Sequence, residues 1–138
     1  MKVPQLNEEF RHSFHFTKEQ VTAYANLSGD TNPIHVSDDY GDESTFGRCI
    51  VHGYFTNSIF SKVYGTLLYP DGNILVEQRS KFIKPIFTDI SYIAVFTVIK
   101  LLPEKNRVTY SNEIFDAEIG ELKVTGEATL WNKEKYKW

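Results

Sequence analysis

The sequence is poor in cysteine: Cys49 is its only one among 138 residues. A single cysteine excludes an intrachain disulfide and a cysteine-rich zinc site. Long apolar runs are also absent, and none approaches the roughly 18 residues that span a bilayer. The opening residues, MKVPQLNEEFRHS, contain neither the apolar core nor the small-residue cleavage site of a signal peptide. We therefore expect a cytoplasmic protein that does not bind membranes.

An excess of charge of one sign is missing as well. The formal net charge is −3, with acidic and basic residues interspersed, so we expect no surface for nucleic acid. The histidines show no HExxH or similar ligand spacing, so we predict no metal site. They are His12, His15, His35 and His52.

The composition is that of a folded globular chain, with 41% apolar and 24% charged residues. Its length predicts one domain over residues 1–138, with a core from roughly residue 10 to residue 132.

Two helices are expected in the first half. Thr17 and Gln20 have the spacing of a capping box, and Gly29 is a typical helix stop. From Asp30 to about Cys49 the chain is rich in turn-forming residues, which predicts a structured loop with single helical turns. An apolar stripe of period 3.6 from His52 to about Leu68 then predicts a long central helix.

The second half is rich in β-forming residues. It contains four such runs, and three long strands in succession, separated by short turns, predict an antiparallel meander. HSFHF predicts a further short strand before the first helix, and the nearly all-apolar ISYIAVFTVI predicts a strand covered on both faces. The fold class is therefore α+β, with a sheet wrapped round one helix. The four runs are ILVEQRSKFIKPIF, ISYIAVFTVIKLL, NRVTYSNEIFDAE and GELKVTGEATLWN.

The segment LSGDTNPIH carries the densest set of polar side chains. Asp30 and His35 are five residues apart, and Asn32-Pro33 favours a tight turn between them. A carboxylate and an imidazole brought together would suit acid–base catalysis. The alternative is structural: Asp30 is a turn or capping residue, and His35 is a polar loop side chain.

A second segment, FGRCIVHG, runs into the central helix. The unpaired N–H groups at a helix N-terminus attract an anionic oxygen, and Gly53 lies at this point. The alternative is that Gly53 only permits close packing.

LSGDTNPIH, TFGRCIVHG, an amphipathic helix and FIKPIFTD follow one another in an order that resembles the MaoC-like hydratase family, over residues Phe16 to Leu130. The resemblance implies a hotdog fold and a homodimer or dimer of dimers with active sites at or near the subunit interface. It also implies (R)-specific hydration of a trans-2-enoyl-CoA, or the reverse dehydration, without a dissociable cofactor. The bulky side chains of Tyr54, Phe55 and Phe60 at the central helix predict short to medium acyl chains. Asp30 and His35 match the catalytic pair, Gly53 the glycine that polarises the thioester carbonyl, and Ser28, Asn32, Tyr54 and Ser61 match positions around the substrate.

The chain departs from the family pattern at several positions. Ser37 and Gly41 replace an aspartate and an alanine, Tyr54 replaces a methionine, and Thr88 replaces a glycine before Asp89. Three alternatives stay open at this level. The first is a dehydratase subunit for acyl-carrier-protein substrates, the second a hotdog acyl-CoA thioesterase, and the third a non-catalytic acyl-CoA-binding subunit.

Overall fold

A computed structural model describes residues 2–138. Five strands form one sheet, and four helices lie between the first strand and the second. In chain order the elements are β1 (Glu9–Phe14), α1 (Lys18–Ser28), α2 (Pro33–Val36), α3 (Asp38–Glu43), α4 (Gly53–Lys62), β2 (Ile74–Phe82), β3 (Tyr92–Leu102), β4 (Arg107–Asp116) and β5 (Leu122–Trp131).

Helix α1 has the ends that its sequence predicts. The Thr17 side chain accepts a hydrogen bond from the Gln20 N–H at 3.1 Å, and the Gln20 side chain accepts one from the Thr17 N–H at 2.9 Å. Gly29 ends the helix at φ 81°, a left-handed conformation that glycine adopts without strain. Both helix signals are confirmed, and the C-terminal one places Asp30 immediately outside the helix.

The sheet has the strand order β1-β3-β4-β5-β2, with every neighbouring pair antiparallel. Strands β3, β4 and β5 form the predicted meander. The predicted first strand, HSFHF, lies too far along the chain. It covers residues 12–16, whereas β1 spans Glu9–Phe14. Phe16 is instead buried beyond the strand end, where its carbonyl accepts a hydrogen bond from the Asp89 N–H. Strand β2 forms the other edge of the sheet and pairs with β5.

One face of the sheet packs against α4. Phe60 on the helix and Phe96 on β3 meet edge to face, with ring centroids 5.8 Å apart. The opposite face of β3 is only partly covered, since Val95 is buried but Ile99 is 41% exposed. The prediction that both faces are covered is therefore wrong at the C-terminal end of the strand, where Ile99 stands unpaired at a shift in the β3–β4 register between Val98 and Lys100.

The central helix extends over most of the predicted length, but its geometry changes near the end. Helix α4 ends at Lys62, and Val63–Leu67 continue as a π-helical turn that closes on a bond from the Leu68 N–H to the Val63 carbonyl. Over residues 2–138, no helix has the length and apolarity required to cross a membrane. The α+β class predicted from the sequence is the class observed.

Candidate active site

Asp30 lies in the turn that follows α1. Its N–H donates to the Ser28 hydroxyl at 3.1 Å, and its carboxylate accepts a bond from the Asn32 N–H at 3.3 Å. These bonds are local, spanning two residues each, and the side chain is exposed. The main-chain carbonyl of Asp30 accepts a third bond at 2.9 Å from Nε2 of His52, 22 residues away. The turn is thereby joined to the start of α4.

His35 lies in the short helix α2, which Asn32 and Pro33 initiate. The Asn32 side chain caps this helix by accepting a bond from the Ile34 N–H at 3.2 Å. Nδ1 of His35 is 2.8 Å from the carbonyl oxygen of Ile50. A carbonyl only accepts, so Nδ1 carries the proton and the lone pair of the neutral ring is on Nε2. His35 thus has the tautomer in which Nε2 can act as a base.

The structure brings His52 together with Asp30 and His35, which stand 22 and 17 residues before it in the chain. Asp30, His35 and His52 each offer a polar atom, and these atoms lie within 4.8 Å of one another. The predicted Asp30–His35 pair is therefore assembled in space. His52 was missed as a site residue, although it stands in the FGRCIVHG segment directly before Gly53. Its burial, which would have identified it, is a property of the tertiary structure.

The same three residues are the types that bind transition metals, but their arrangement does not suit a metal ion. The His35 and His52 rings stack, with centroids 3.9 Å apart and planes 26° apart. Stacked rings hold their nitrogen lone pairs in two nearly parallel planes, whereas a metal ion requires lone pairs that converge on one point. Nδ1 of His35 and Nε2 of His52 are also engaged by backbone carbonyls.

Gly53 begins α4, and no side chain caps this helix end. A Cβ at Gly53 would stand 3.1–3.4 Å from the ring of Phe82 on β2, so the glycine permits a close approach of helix and strand. A cavity of about 210 Å³ lies at this point. Its lining is mainly apolar and includes Gly53, Thr56, Phe82, Ile83, Pro85 and Ile86.

The remaining predicted site residues divide into two groups. Ser28 and Asn32 form the turn around Asp30 through the bonds described above. Tyr54 is 81% exposed, and Ser61 is also exposed farther along α4. Neither Tyr54 nor Ser61 lines the cavity beside Gly53 or the loop cavity that reaches His35.

Ser37 and Gly41, which differ from the family pattern, both take part in a close contact between α3 and the loop that follows it. The Ser37 hydroxyl caps α3, and its carbonyl accepts a bond from the Cys49 thiol at 3.1 Å. Gly41 is buried, and a Cβ there would stand 2.4 Å from the Cys49 backbone nitrogen. Burial, followed by the charge of Asp38, raises the pKa of the Cys49 thiol, against the opposing effect of Lys18. Glycine is thus required at position 41 in this chain.

Arg48 connects the two loops beside this contact. Its guanidinium donates to the Thr88 carbonyl at 2.9 Å and to the Thr88 hydroxyl at 3.2 Å, and it lies over the Phe87 ring at 4.9 Å from the centroid. At the position where family members often have glycine, this chain thus has a threonine whose carbonyl and hydroxyl both accept bonds from Arg48. A cavity of about 90 Å³ between these loops reaches His35.

Comparison with known proteins identifies the family. The MaoC like domain matches residues 2–102. An (R)-specific enoyl-CoA hydratase of Rhodospirillum rubrum is 37% identical over 114 residues, covering 83% of this chain and 78% of that protein. A second, from Aeromonas caviae, is 34% identical over 126 residues, covering 91% and 93%. A solved (R)-hydratase from A. caviae, described as involved in PHA biosynthesis, superposes with a TM-score of 0.87 at 33% identity, covering 95% and 98%. The predicted hotdog fold is confirmed, and the chain belongs to the MaoC-like family.

Proposed function

We propose that this enoyl-CoA hydratase adds water to a trans-2-enoyl thioester to give the (R)-3-hydroxyacyl product, or runs the reverse dehydration, with Asp30 and His35 as its acid–base pair. One observation supports the proposal: polar atoms of Asp30, His35 and His52 lie within 4.8 Å of one another, and Gly53 is the residue that follows His52 at the start of α4. The names of the relatives from R. rubrum and A. caviae support the reaction and its stereochemistry.

In the forward direction, the pair binds a water molecule between the Asp30 carboxylate and Nε2 of His35. One group accepts a proton from the water as its oxygen forms a bond to the β carbon. The electrons of the double bond shift toward the thioester oxygen. The protonated member of the Asp30–His35 pair then gives its proton to the α carbon as those electrons return. Hydroxyl and proton thus add to the same face of the double bond, and no cofactor is consumed.

The thioester oxygen gains negative charge during this step, and the Gly53 N–H is the group proposed to receive it. It stands in the first turn of α4, where the helix dipole favours negative charge. Loss of one such donor in comparable enzymes costs about 100- to 1000-fold in rate.

The proposed acyl chains are short to medium, and the size of the cavity beside Gly53, about 210 Å³ with Phe82 in its lining, supports this. Ser28 and Asn32 contribute by shaping the turn that carries Asp30. Tyr54 and Ser61 stay predictions as substrate contacts, and a partner subunit or a bound thioester would have to cover them.

A homodimer, or a dimer of dimers, is part of the proposal. Strand β2 is a sheet edge, and its apolar side chains Ile74, Leu75 and Val76 are 44–52% exposed. An exposed apolar edge strand favours pairing with another strand, and an identical strand in a second copy would satisfy it. We expect sedimentation to give a dimer or larger assembly that the double variant Ile74→Lys/Val76→Lys disrupts. Leu27→Lys, which changes an exposed leucine on α1, is the control, and a monomeric wild-type chain would contradict this part.

The reaction is tested with purified protein and crotonyl-CoA. The expected result is loss of the absorbance of the conjugated thioester and formation of (R)-3-hydroxybutyryl-CoA. Asp30→Asn and His35→Ala are expected to reduce kcat by about 100-fold or more. Asp39→Asn and His15→Ala change exposed residues of the same types and are the matched controls.

Near-normal turnover in Asp30→Asn or His35→Ala would refute the assignment of the pair. The same assay with crotonyl-acyl carrier protein separates the two possible carriers. Hydrolysis to the free acid would indicate a thioesterase, and binding without turnover would indicate a non-catalytic subunit.

A further inference from the structure

His52 is a buried polar residue with no assigned role in the mechanism above. It is 1% exposed, and it occupies the residue before α4, where Ser, Thr, Asp or Asn would normally cap the helix. Its side chain makes no capping bond. Instead, Nε2 donates to the Asp30 carbonyl at 2.9 Å, and the ring stacks on His35 at 3.9 Å. One residue thus contacts both members of the proposed pair through different parts of its ring.

The protonation of His52 follows from its partner. The Asp30 carbonyl can only accept, so Nε2 carries the proton, and Nδ1 of the neutral ring has a lone pair. This Nδ1 is buried and has no hydrogen-bond partner among residues 2–138. A buried polar atom without a partner costs free energy that an apolar side chain would avoid. An imidazole at this position therefore carries a cost that its other contacts must offset.

The bond from His52 differs from the other bonds that hold Asp30. The bonds with Ser28 and Asn32 span two residues each and fix only the shape of the turn. The bond with His52 spans 22 residues and fixes the turn relative to α4. The ring of Tyr24 also packs against the imidazole, with its centroid 4.8 Å from that of His52 and the two planes at 66°.

We propose that His52 is a positioning residue, which sets the distance between Asp30 and His35 and aligns both with the Gly53 N–H that follows it in the chain. This inference rests on the proposed hydratase function. His52 holds Asp30 by its backbone and supports His35 by its ring face. Because Gly53 is the next residue, the same part of the chain aligns the acid–base pair with the group that receives the thioester oxygen.

The test compares two replacements of His52. His52→Gln retains an amide N–H that can reach the Asp30 carbonyl, whereas His52→Leu retains similar bulk without a donor. We expect His52→Leu to lower kcat by about 30- to 100-fold with KM changed less than about threefold, because displaced groups lose rate even where substrate still binds. His52→Gln is expected to lose about fivefold or less. His15→Leu is the matched control at an exposed histidine.

A merely structural role would lower the melting temperature and the active fraction of both variants without separating their kcat values per folded molecule. Equal kcat in the two variants, or wild-type kcat in His52→Leu, would overturn the proposal. If His52→Leu does not fold, His52→Asn replaces it, because its shorter amide ends before the carbonyl of Asp30.

A second measurement is independent of turnover and so separates this inference from the proposed function. Nitrogen-15 spectra at neutral pH are expected to show the proton of His52 on Nε2 and that of His35 on Nδ1. Hydrogen exchange of the Asp30 and Asn32 amides is expected to accelerate in His52→Leu and much less in His52→Gln. If the wild-type chain turns over no enoyl thioester, the proposed function fails, whereas a His52 proton on Nδ1 or unchanged exchange in His52→Leu overturns the positioning role itself.

Discussion

Gly41→Ala is expected to destabilise the chain, even though alanine is the residue that the family pattern has at this position. In this structure a Cβ at position 41 would stand 2.4 Å from the backbone nitrogen of Cys49 and 2.8 Å from the carbonyl carbon of Arg48. Backbone atoms cannot rotate away as the end of a side chain can. Helix α3 or the Arg48–Cys49 loop must therefore move.

The magnitude follows from two opposing effects. Overpacking of a closely packed site typically costs about 1–3 kcal/mol, whereas replacing glycine by alanine within a helix gains about 0.5–1 kcal/mol. The expected net loss in the free energy of unfolding is about 1–2 kcal/mol, which lowers Tm by about 3–10 °C for a chain of this size. Because Ile50 follows this loop and its carbonyl holds Nδ1 of His35, kcat is expected to fall as well.

Thermal and urea unfolding of Gly41→Ala beside Gly65→Ala provide the measurement. Gly65 is an exposed residue of the π-helical turn, and a Cβ there would meet no atom within 4 Å, so alanine should leave stability unchanged or raise it. A Gly41→Ala chain that melts at or above the wild-type temperature, or changes no more than Gly65→Ala, would refute the argument from close contact.

Three further changes test separate features of the fold. Thr17→Ala removes the capping box of α1 and is expected to cost about 1 kcal/mol in urea unfolding, whereas Thr17→Ser, which keeps the hydroxyl, should cost less; equal losses would contradict the capping role. Tyr64→Phe removes the bond from the buried hydroxyl to Asn112 at 3.0 Å and is expected to cost about 0.5–1.5 kcal/mol, so unchanged stability would show that the bond contributes nothing. Because burial raises the pKa of the Cys49 thiol, a smaller fraction of it is thiolate at pH 8. Iodoacetamide should therefore modify Cys49 more slowly than it modifies the thiol of free glutathione. Urea should remove that difference, and rapid modification of the folded chain would contradict the pKa direction.

The ends of α1 and the meander of three strands were predictable because their causes are local. Thr17 and Gln20 satisfy each other's backbone groups across three residues, Gly29 supplies a positive φ, and β-forming runs joined by short turns pair with their neighbours. The end of β1 and the exposure of Ile99 were wrong because neither depends on the residues of its own strand alone. The single-domain organisation, the cytoplasmic location and the absence of a metal or cofactor stay predictions.

The sequence by itself determined the family and the order of the main elements, and it suggested Asp30 and His35 as the proposed pair, since these are expressed in motifs of fixed spacing and in hydrophobic period. Only the tertiary structure decided what surrounds that pair. Burial and stacking of His52, the tautomer that the Ile50 carbonyl imposes on His35, and the space that Gly41 must leave for Cys49 all arise between segments that are distant in the chain. Such contacts depend on how the helices and loops pack in three dimensions, and residue order alone does not encode them in any local pattern.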